Sequence, residues 1–166
     1  MKTKLSLFVT VLAAVLFVGG CVSTDSNQPS FNIIEGRFTW QEAREDAESK
    51  GGRLAVLDTK EKIVQVNSYV RDYKGDAFKQ ENAVLLWIGL TDRSEEGKWR
   101  WVTGVDLTVN NWAENEPNEK RRADGIAQDY GVIVGPGDPT SWTGWHDDVG
   151  NNKYSYLIEF PIQLKK

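Results

Sequence analysis

Apolar residues recur at helical spacing in two segments of the first half of the chain. The stripe of the first segment, at positions i, i+3 and i+7, consists of Trp40, Ala43 and Ala47. Thr39 and Glu42 form a capping-box pattern at its start, and the pair Gly51-Gly52 is typical of a helix end. We therefore predict a helix that begins at Trp40 and ends before the two glycines.

The second segment carries the same spacing further along the chain. Its apolar stripe consists of Ile63, Val66, Val70 and Tyr73. Asp58 precedes the stripe with Glu61 three positions later, so we expect Asp58 to open the helix. The run Lys74-Gly75-Asp76 follows the stripe and predicts its end.

Short apolar or alternating runs predict strands around these helices. The predicted strands are residues 31–34, 54–57, 84–90, 98–102, 131–134 and 154–160. The long stretch from Gly104 to Trp145 is rich in Gly, Pro, Asn and Asp, and a loop of that length usually has a function. Two early helices followed by short antiparallel strands indicate the α+β class.

One cysteine and one histidine limit the chemistry that the chain can carry. With Cys21 as its sole cysteine, the sequence forms no disulfide within itself and holds no cysteine-rich zinc framework. His146 is the sole histidine, so the chain has no multi-histidine metal site, and a Ser-His-Asp triad would have one candidate for its base. The 166 residues and their 40% hydrophobic content fit one folded domain.

Residues 1–20 have the pattern of an export signal. Two lysines precede an uncharged apolar run over residues 5–18, which is shorter than the roughly 20 residues of a membrane-spanning helix. The motif Val18-Gly19-Gly20-Cys21 resembles the lipobox of bacterial lipoproteins, in which the cysteine is lipidated after cleavage. We expect a lipid anchor at Cys21; the alternative is an ordinary secretory signal followed by a free thiol.

The predicted organisation has three parts. A signal peptide spans residues 1–20, the lipidated cysteine and a flexible polar tether span 21–30, and one domain spans 31–166. Val22 after the cysteine, by resemblance to proteobacterial lipoproteins, favours the outer membrane if the host is Gram-negative. Removal of the signal leaves 18 basic and 24 acidic side chains, and this net charge of −6 argues against a nucleic-acid partner.

Acidic and amide side chains cluster in the irregular second half. They are Glu114, Asn115, Glu116, Asn118, Glu119, Asp124, Gln128, Asp129, Asp138, Asp147 and Asp148. Calcium takes six to eight oxygen ligands, which loops readily supply. In Glu116-Pro117-Asn118, a cis bond before the proline would aim two oxygen-bearing side chains at one point. A solvated loop surface is the alternative.

Five motifs together, by their order and spacing, resemble the C-type lectin domain over about residues 31–160. They are Trp87-Ile88-Gly89-Leu90, Gly97-Lys98-Trp99-Arg100-Trp101-Val102, Asn111-Trp112, Glu116-Pro117-Asn118 and Trp145-His146-Asp147. The resemblance implies a C-type lectin-like double-loop α+β domain with two helices and short antiparallel sheets. In it the N- and C-terminal strands pair, and a long loop holds calcium.

The resemblance also implies the ligands. In the family, Glu-Pro-Asn marks the primary calcium site of mannose-type lectins, where sugar hydroxyls bind both the ion and its ligands. The implied calcium ligands here are Glu116, Asn118, Gln128, His146 and Asp147. All of these except Gln128 would also bind the carbohydrate.

Two of these positions depart from the family pattern. Gln128 replaces the usual Glu, which removes one negative charge, although its amide oxygen still coordinates more weakly. His146 replaces the usual Asn, and imidazole nitrogen is a poor ligand for a hard cation. His146 is therefore either a filler beside the site or a direct partner of a sugar hydroxyl.

Other family features map onto further positions. An auxiliary calcium site would consist of Asp92, Glu96, Glu119 and Asp129, with a simple polar turn as the alternative for the first two. The cysteines of the family's two usual disulfides would fall at Ala47, Tyr130, Gly150 and Ile158. The core would then rely on its tryptophans and on bound calcium for cohesion.

Three functions follow from the sequence. The first is calcium-dependent, mannose-type carbohydrate binding by a membrane-anchored lipoprotein, used for glycan capture or adhesion. The second keeps the fold but binds a protein partner without sugar, with or without calcium. The third is a glycan hydrolase using Glu116 and a second carboxylate; because no acid pair or activated nucleophile is apparent, we expect no enzyme.

Overall fold

The computed structural model describes residues 29–73, 84–118, 125–135, 144–160 and 162. These residues form two helices, α1 (Trp40–Ser49) and α2 (Lys60–Asp72), and seven strands: β1 (Ser30–Phe38), β2 (Arg53–Leu54), β3 (Val84–Thr91), β4 (Arg100–Trp101), β5 (Tyr130–Gly135), β6 (Gly144–Asp148) and β7 (Tyr154–Phe160). The predicted signal, Cys21, Lys74-Gly75-Asp76 and Glu119 lie outside the described residues. No helix within them is long and apolar enough to cross a membrane.

The strands join in one sheet with the order β1-β7-β3-β5-β6, while β2 pairs with β7 and β4 with β3. The first and last strands pair antiparallel from Ser30↔Phe160 to Phe38↔Tyr154, as the resemblance implied. One pairing differs from the antiparallel prediction, because β3 runs parallel to β7 at Leu86↔Ser155 and Trp87↔Tyr156. A hydrophobic run indicates which faces of a strand are buried. It does not by itself determine whether the strand pairs parallel or antiparallel with its neighbour.

Two apolar layers lie on opposite faces of the sheet. Because side chains alternate along a strand, Trp87 and Tyr156 join the layer beneath α1, while Leu86 and Leu157 join the layer beneath α2. Burial on both faces explains why β3 is a continuous apolar run in the sequence.

The helix predictions hold for the first helix and need a correction for the second. Thr39 caps α1 and forms the capping box with Glu42, and the helix ends before Gly51, whose φ of 77° suits glycine. The cap of α2 is Thr59 rather than Asp58, because the Thr59 hydroxyl accepts the N–H of Lys62. The predicted stripe is buried, apart from the half-buried Tyr73 that follows the helix.

The strand predictions differ most in length. Strand β1 continues to Phe38 rather than ending at Ile34, and β4 covers two of the five residues predicted. Strand β2 covers Arg53–Leu54 only. Residues 55–57 are buried outside the strand, although the Ala55 backbone still donates to the Leu157 carbonyl and accepts from the Gly89 N–H. Strand β6 was not predicted, because Gly144–Asp148 has one large apolar side chain, Trp145, and no alternation that distinguishes it from the surrounding loop.

Candidate functional site

Four tryptophans form the base of the long loop. The rings of Trp99 and Trp112 are 4.8 Å apart, those of Trp112 and Trp145 are 6.0 Å apart, and those of Trp101 and Trp145 are 5.7 Å apart. All three contacts are edge-to-face, the geometry that aromatic pairs prefer. The cluster joins the start of the loop to β4 and β6, which gives the loop a rigid base.

Backbone hydrogen bonds hold the loop against β6. The N–H of Trp145 donates to the Asn111 carbonyl at 2.8 Å, and the N–H of Ala113 donates to the Trp145 carbonyl at 2.9 Å. Gly144 permits this approach, because a Cβ there would lie 2.6 Å from the Asn111 oxygen. As a result, the residues after Ala113 lie beside those after Trp145.

The Glu-Pro-Asn motif lies against Asp147 in this arrangement. The Glu116–Pro117 bond is cis, as the calcium-loop prediction required. The Asn118 backbone N–H donates to Asp147 Oδ1 at 3.0 Å, and its side-chain Nδ2 donates to Glu116 Oε1 at 2.6 Å. The structure therefore brings these three predicted ligands together.

Gln128, two residues before β5, joins the same group. Its Nε2 donates to the Asp147 carbonyl at 3.1 Å, while its Oε1 is buried without a hydrogen-bond partner among the described residues. Oε2 of Glu116 is buried in the same way. Buried oxygens without donors are costly, and a cation is one ligand that satisfies them.

His146 lies at the edge of this cluster. Its Nδ1 is 3.3 Å from Glu116 Oε1, and its Nε2 is buried without a partner among the described residues. Burial lowers the pKa of His146, against the opposing effects of the Asp147 and Asp148 charges. The imidazole is therefore held toward its neutral form.

Burial acts on Glu116 in the opposite direction. Its side chain is 9% exposed, and burial together with a hydrogen bond shared with Asp147 raises the pKa of Glu116 to about 7. The hydrogen bond from Asn118 lowers this pKa but does not offset the burial. Without a cation, this carboxyl would be about half protonated at pH 7.

Three of the four predicted auxiliary ligands also meet. Carboxylate oxygens of Asp92, Glu96 and Asp129 lie within 4.8 Å of one another. Asp92 is 1% exposed, and its Oδ1 has no hydrogen-bond partner among the described residues. Burial raises the pKa of Asp92, and the charges of Glu96 and Asp129 raise it further. The fourth predicted ligand, Glu119, lies outside the described residues.

Asp148 has a structural role instead. Its carboxylate accepts hydrogen bonds from the Val149 N–H, the Asn152 amide and the Tyr154 hydroxyl. These bonds fix the turn between β6 and β7. Sequence analysis missed the tryptophan base and Gly144, for which only the motif tryptophans and a glycine directly before Trp145 gave a signal.

Comparisons with known proteins point to one family. A family model described as the lectin C-type domain matches residues 37–159. Salivary C-type lectin 1 of Aedes albopictus is 43% identical over 72% of this chain and 74% of its own length. C-type lectin 16 of Aedes aegypti is 32% identical over 93% of this chain and 97% of its own.

Solved structures share the fold. The carbohydrate-recognition domain of the mouse scavenger receptor C-type lectin has a TM-score of 0.64 and 18% identity, covering 81% of this chain and 92% of that one. The C-type lectin CEL-I from Cucumaria echinata has a TM-score of 0.63 and 21% identity, covering 81% and 91%. On the family match and these relatives, the chain belongs to the C-type lectin domain family.

Proposed function

We propose that this protein binds carbohydrate through a calcium ion held by the long loop, with a mannose-type preference. Membership of the C-type lectin domain family supports carbohydrate binding as the general function. The calcium ion and the sugar preference rest on the Glu116-Pro117-Asn118 motif and its contacts.

The observation that carries the proposal is a pair of buried oxygens, Glu116 Oε2 and Gln128 Oε1, that have no hydrogen-bond partner within the described part of the chain. Both side chains contact Asp147. Carboxylate and amide oxygens are the donors that calcium prefers, so these residues fit the ion. Glu116, Asn118, Gln128 and Asp147 would hold it, and it would supply a coordination point for two sugar hydroxyls.

His146 is the member of the set that supplies no oxygen. We assign it to the carbohydrate side of the site, where its buried Nε2 offers a sugar hydroxyl a hydrogen-bond partner. Its predicted role as a calcium ligand remains the alternative within this proposal.

Affinity chromatography on immobilised mannose tests the proposal. The full chain, in non-ionic detergent, should be retained in calcium and eluted by chelator, and calcium should raise its melting temperature. Equal flow-through in both buffers, with no change in melting temperature, would overturn the proposal.

The sugar preference has its own test. The double variant Glu116→Gln, Asn118→Asp creates the Gln-Pro-Asp sequence that marks galactose binders in the family. We expect elution by free galactose to become more effective than elution by free mannose. An unchanged order of the two sugars would contradict the ligand assignment.

A second candidate function is binding of a protein partner without sugar. The contact between His146 and Glu116 favours it, because the imidazole engages a carboxylate oxygen that a calcium ion would otherwise bind. A structure titled as a calcium-independent type II antifreeze protein has a TM-score of 0.59 with this chain at 20% identity, so the fold itself does not require calcium. The chromatography above separates the two candidates, since only a lectin would show calcium-dependent retention.

We further propose that Cys21 carries a lipid that anchors the domain to a membrane. The support is the lipobox-like sequence alone; the relatives named above come from animals and do not support a bacterial host. Expression of the wild type and Cys21→Ser in a bacterium tests the anchor. An acyl mass increase and membrane fractionation of the wild type alone are expected, whereas equal masses would overturn it.

A further inference from the structure

A cleft of about 510 Å³ lies apart from the loop site. Its walls come from the start of α1, the turn after β3, strand β4 and the first residue of β5. It shares no lining residue with the Glu116–Asp147 cluster. Its volume lies within the range of small-molecule sites, about 300–1,000 Å³, and exceeds what a single ion needs.

The cleft is basic in a chain that is acidic overall. Three of its lining residues are Arg44, Arg93 and Arg100, and none of the described residues that line it is Asp or Glu. The full chain carries a net charge of −4. Three arginines from separate segments therefore line one cleft of an acidic chain, and nearby carboxylates offset part of the charge of two of them.

Local contacts orient each guanidinium while engaging one of its nitrogens. Arg44 Nε contacts Glu48 at 3.0 Å, and Arg100 Nε contacts Asp106 at 2.7 Å. A guanidinium has five N–H donors, so both keep donors for a ligand. The side chains of Arg44 and Arg100 are 42% and 40% exposed.

Arg93 differs from the other two. Its Nη1 donates to the Tyr130 hydroxyl at 2.9 Å, and its guanidinium forms no ion pair among the described residues. The hydroxyls of Thr91 and Ser94 line the cleft beside it and add neutral hydrogen-bonding groups. Arg93 is therefore the cation of the cleft whose charge is least compensated by a direct partner.

We propose that this cleft binds a small ligand that carries several sulfate or phosphate ester groups, independently of the calcium site. Guanidinium groups recognise such oxyanions with paired hydrogen bonds, and three of them around one cleft suit several groups on one molecule. The negative charge of the whole chain disfavours a long nucleic acid but has little effect on a small ligand inside a basic cleft.

Calorimetric titration of the full chain in chelator tests the proposal, because chelator keeps calcium out of the loop. The probes are sucrose octasulfate, inositol hexakisphosphate and uncharged sucrose. Saturable binding of either anion, at one ligand per chain, is expected, and the tighter of the two identifies the ester class. Binding of neither anion, or equal binding of sucrose, would overturn the proposal.

Matched arginine variants locate the binding. Arg93→Gln and Arg44→Gln should each weaken the tighter anion about tenfold, since each removes a charged hydrogen-bond partner. Arg71→Gln on α2 makes the same change in charge away from the cleft and is the control. Unchanged affinity in both cleft variants, or an equal loss in Arg71→Gln, would overturn the site. Because Arg93 and Arg71 are exposed and the Arg44 side chain is 42% exposed, all of these variants should fold, which thermal melting checks.

Discussion

His146 Nδ1 lies 3.3 Å from Glu116 Oε1, so an imidazole and a carboxyl share one half-buried corner of the loop site. Burial disfavours the charged form of both groups, lowering the pKa of His146 and raising that of Glu116 to about 7. A cation reverses this preference for Glu116, because it stabilises the carboxylate. Cation binding and proton loss are therefore coupled at this residue.

Calcium affinity should depend on pH through Glu116. The carboxyl must lose its proton to hold the ion, so affinity should be nearly constant above its pKa of about 7. Between pH 6 and pH 5 the apparent affinity should fall about tenfold, because one proton competes with the ion. Calcium titrations followed by tryptophan fluorescence measure this. An affinity that does not change from pH 8 to pH 5 would contradict the role of Glu116.

The metal-free protein should show the opposite pH trend in stability. The folded pKa of Glu116 lies above its ordinary value of 4.5, so between these values the folded state binds more protons than the unfolded state. The contribution of Glu116 to stability is thus present below pH 4.5 and is lost as pH rises through about 7. The upper bound of this loss is about 3 kcal/mol.

Urea unfolding in chelator tests this trend against two variants. The free-energy difference between wild type and Glu116→Gln should change from pH 5 to pH 7.5, with the wild type losing stability relative to the variant. Glu114→Gln is the control, because Glu114 is exposed on the same loop. Parallel pH profiles for the wild type and Glu116→Gln would disprove the burial argument.

Asp92→Asn should reduce the response of the auxiliary cluster to calcium. The variant keeps an oxygen for the Gly97 N–H, which lies 2.9 Å from Asp92 Oδ2, but removes the charge that Glu96 and Asp129 oppose. We expect a higher melting temperature in chelator and a smaller rise on adding calcium. Glu95→Gln, the same change at an exposed residue of this turn, is the control. An undiminished calcium response in Asp92→Asn would argue for a simple polar turn.

Replacing the buried Glu159 carboxylate by an amide should lower the free energy of unfolding markedly. Its carboxylate is 1% exposed and accepts from Arg53 Nε and Lys62 Nζ, both at 2.9 Å, and from the Val56 N–H. Glu159→Gln leaves Arg53 without its carboxylate partner and leaves Lys62 with Asp58 alone, which should cost about 3 kcal/mol in urea unfolding. Glu48→Gln, which breaks the exposed pair with Arg44, should cost less than about 1 kcal/mol. Equal costs would mean that the Glu159 network is not stabilised by its burial.

The features that were predicted correctly depend on residues close together in the sequence. The capping box at Thr39 and the closing strand at residues 154–160 were confirmed, because capping and alternation are encoded within a few neighbouring residues. The cap at Thr59 was misassigned to Asp58, since both are good caps and only backbone geometry distinguishes them. The parallel pairing of β3 and β7 depends on chain connections that a pattern does not contain.

The candidate site divides in the same way. Short motifs placed Glu116, Asn118 and Asp147 in one cluster, and the hydrogen bonds between them agree. The approach of Asn111 to Gly144 depends on packing between distant segments and left almost no trace in the sequence. The basic cleft could not be predicted from the sequence, because its three arginines belong to separate segments that are acidic or mixed in charge.

The contact between Tyr130 and Gly150 yields a last prediction about stability. These are two of the four positions where the family resemblance would place cysteines, and here the tyrosine ring lies against the glycine. A Cβ at residue 150 would lie 2.5 Å from Tyr130 Cε2, and the Trp40 N–H donates to the Gly150 carbonyl at 3.0 Å. Gly150→Ala should therefore destabilise the domain by about 1–3 kcal/mol in urea unfolding, because a shift of the ring would disturb its contacts with Trp40 and Arg93, and a shift of the backbone would disturb the hydrogen bond from the Trp40 N–H.

A double-mutant cycle identifies the ring as the cause. Tyr130→Leu removes the clashing atoms but also loses the ring contact with Trp40, at 4.8 Å, and the hydrogen bond to Arg93. In the Tyr130→Leu background, Gly150→Ala should cost clearly less than in the wild type, since the smaller side chain leaves space for the methyl group. Additive costs would show that the Gly150 position is limited by its backbone alone, and that the tyrosine ring does not fill the space between these two segments.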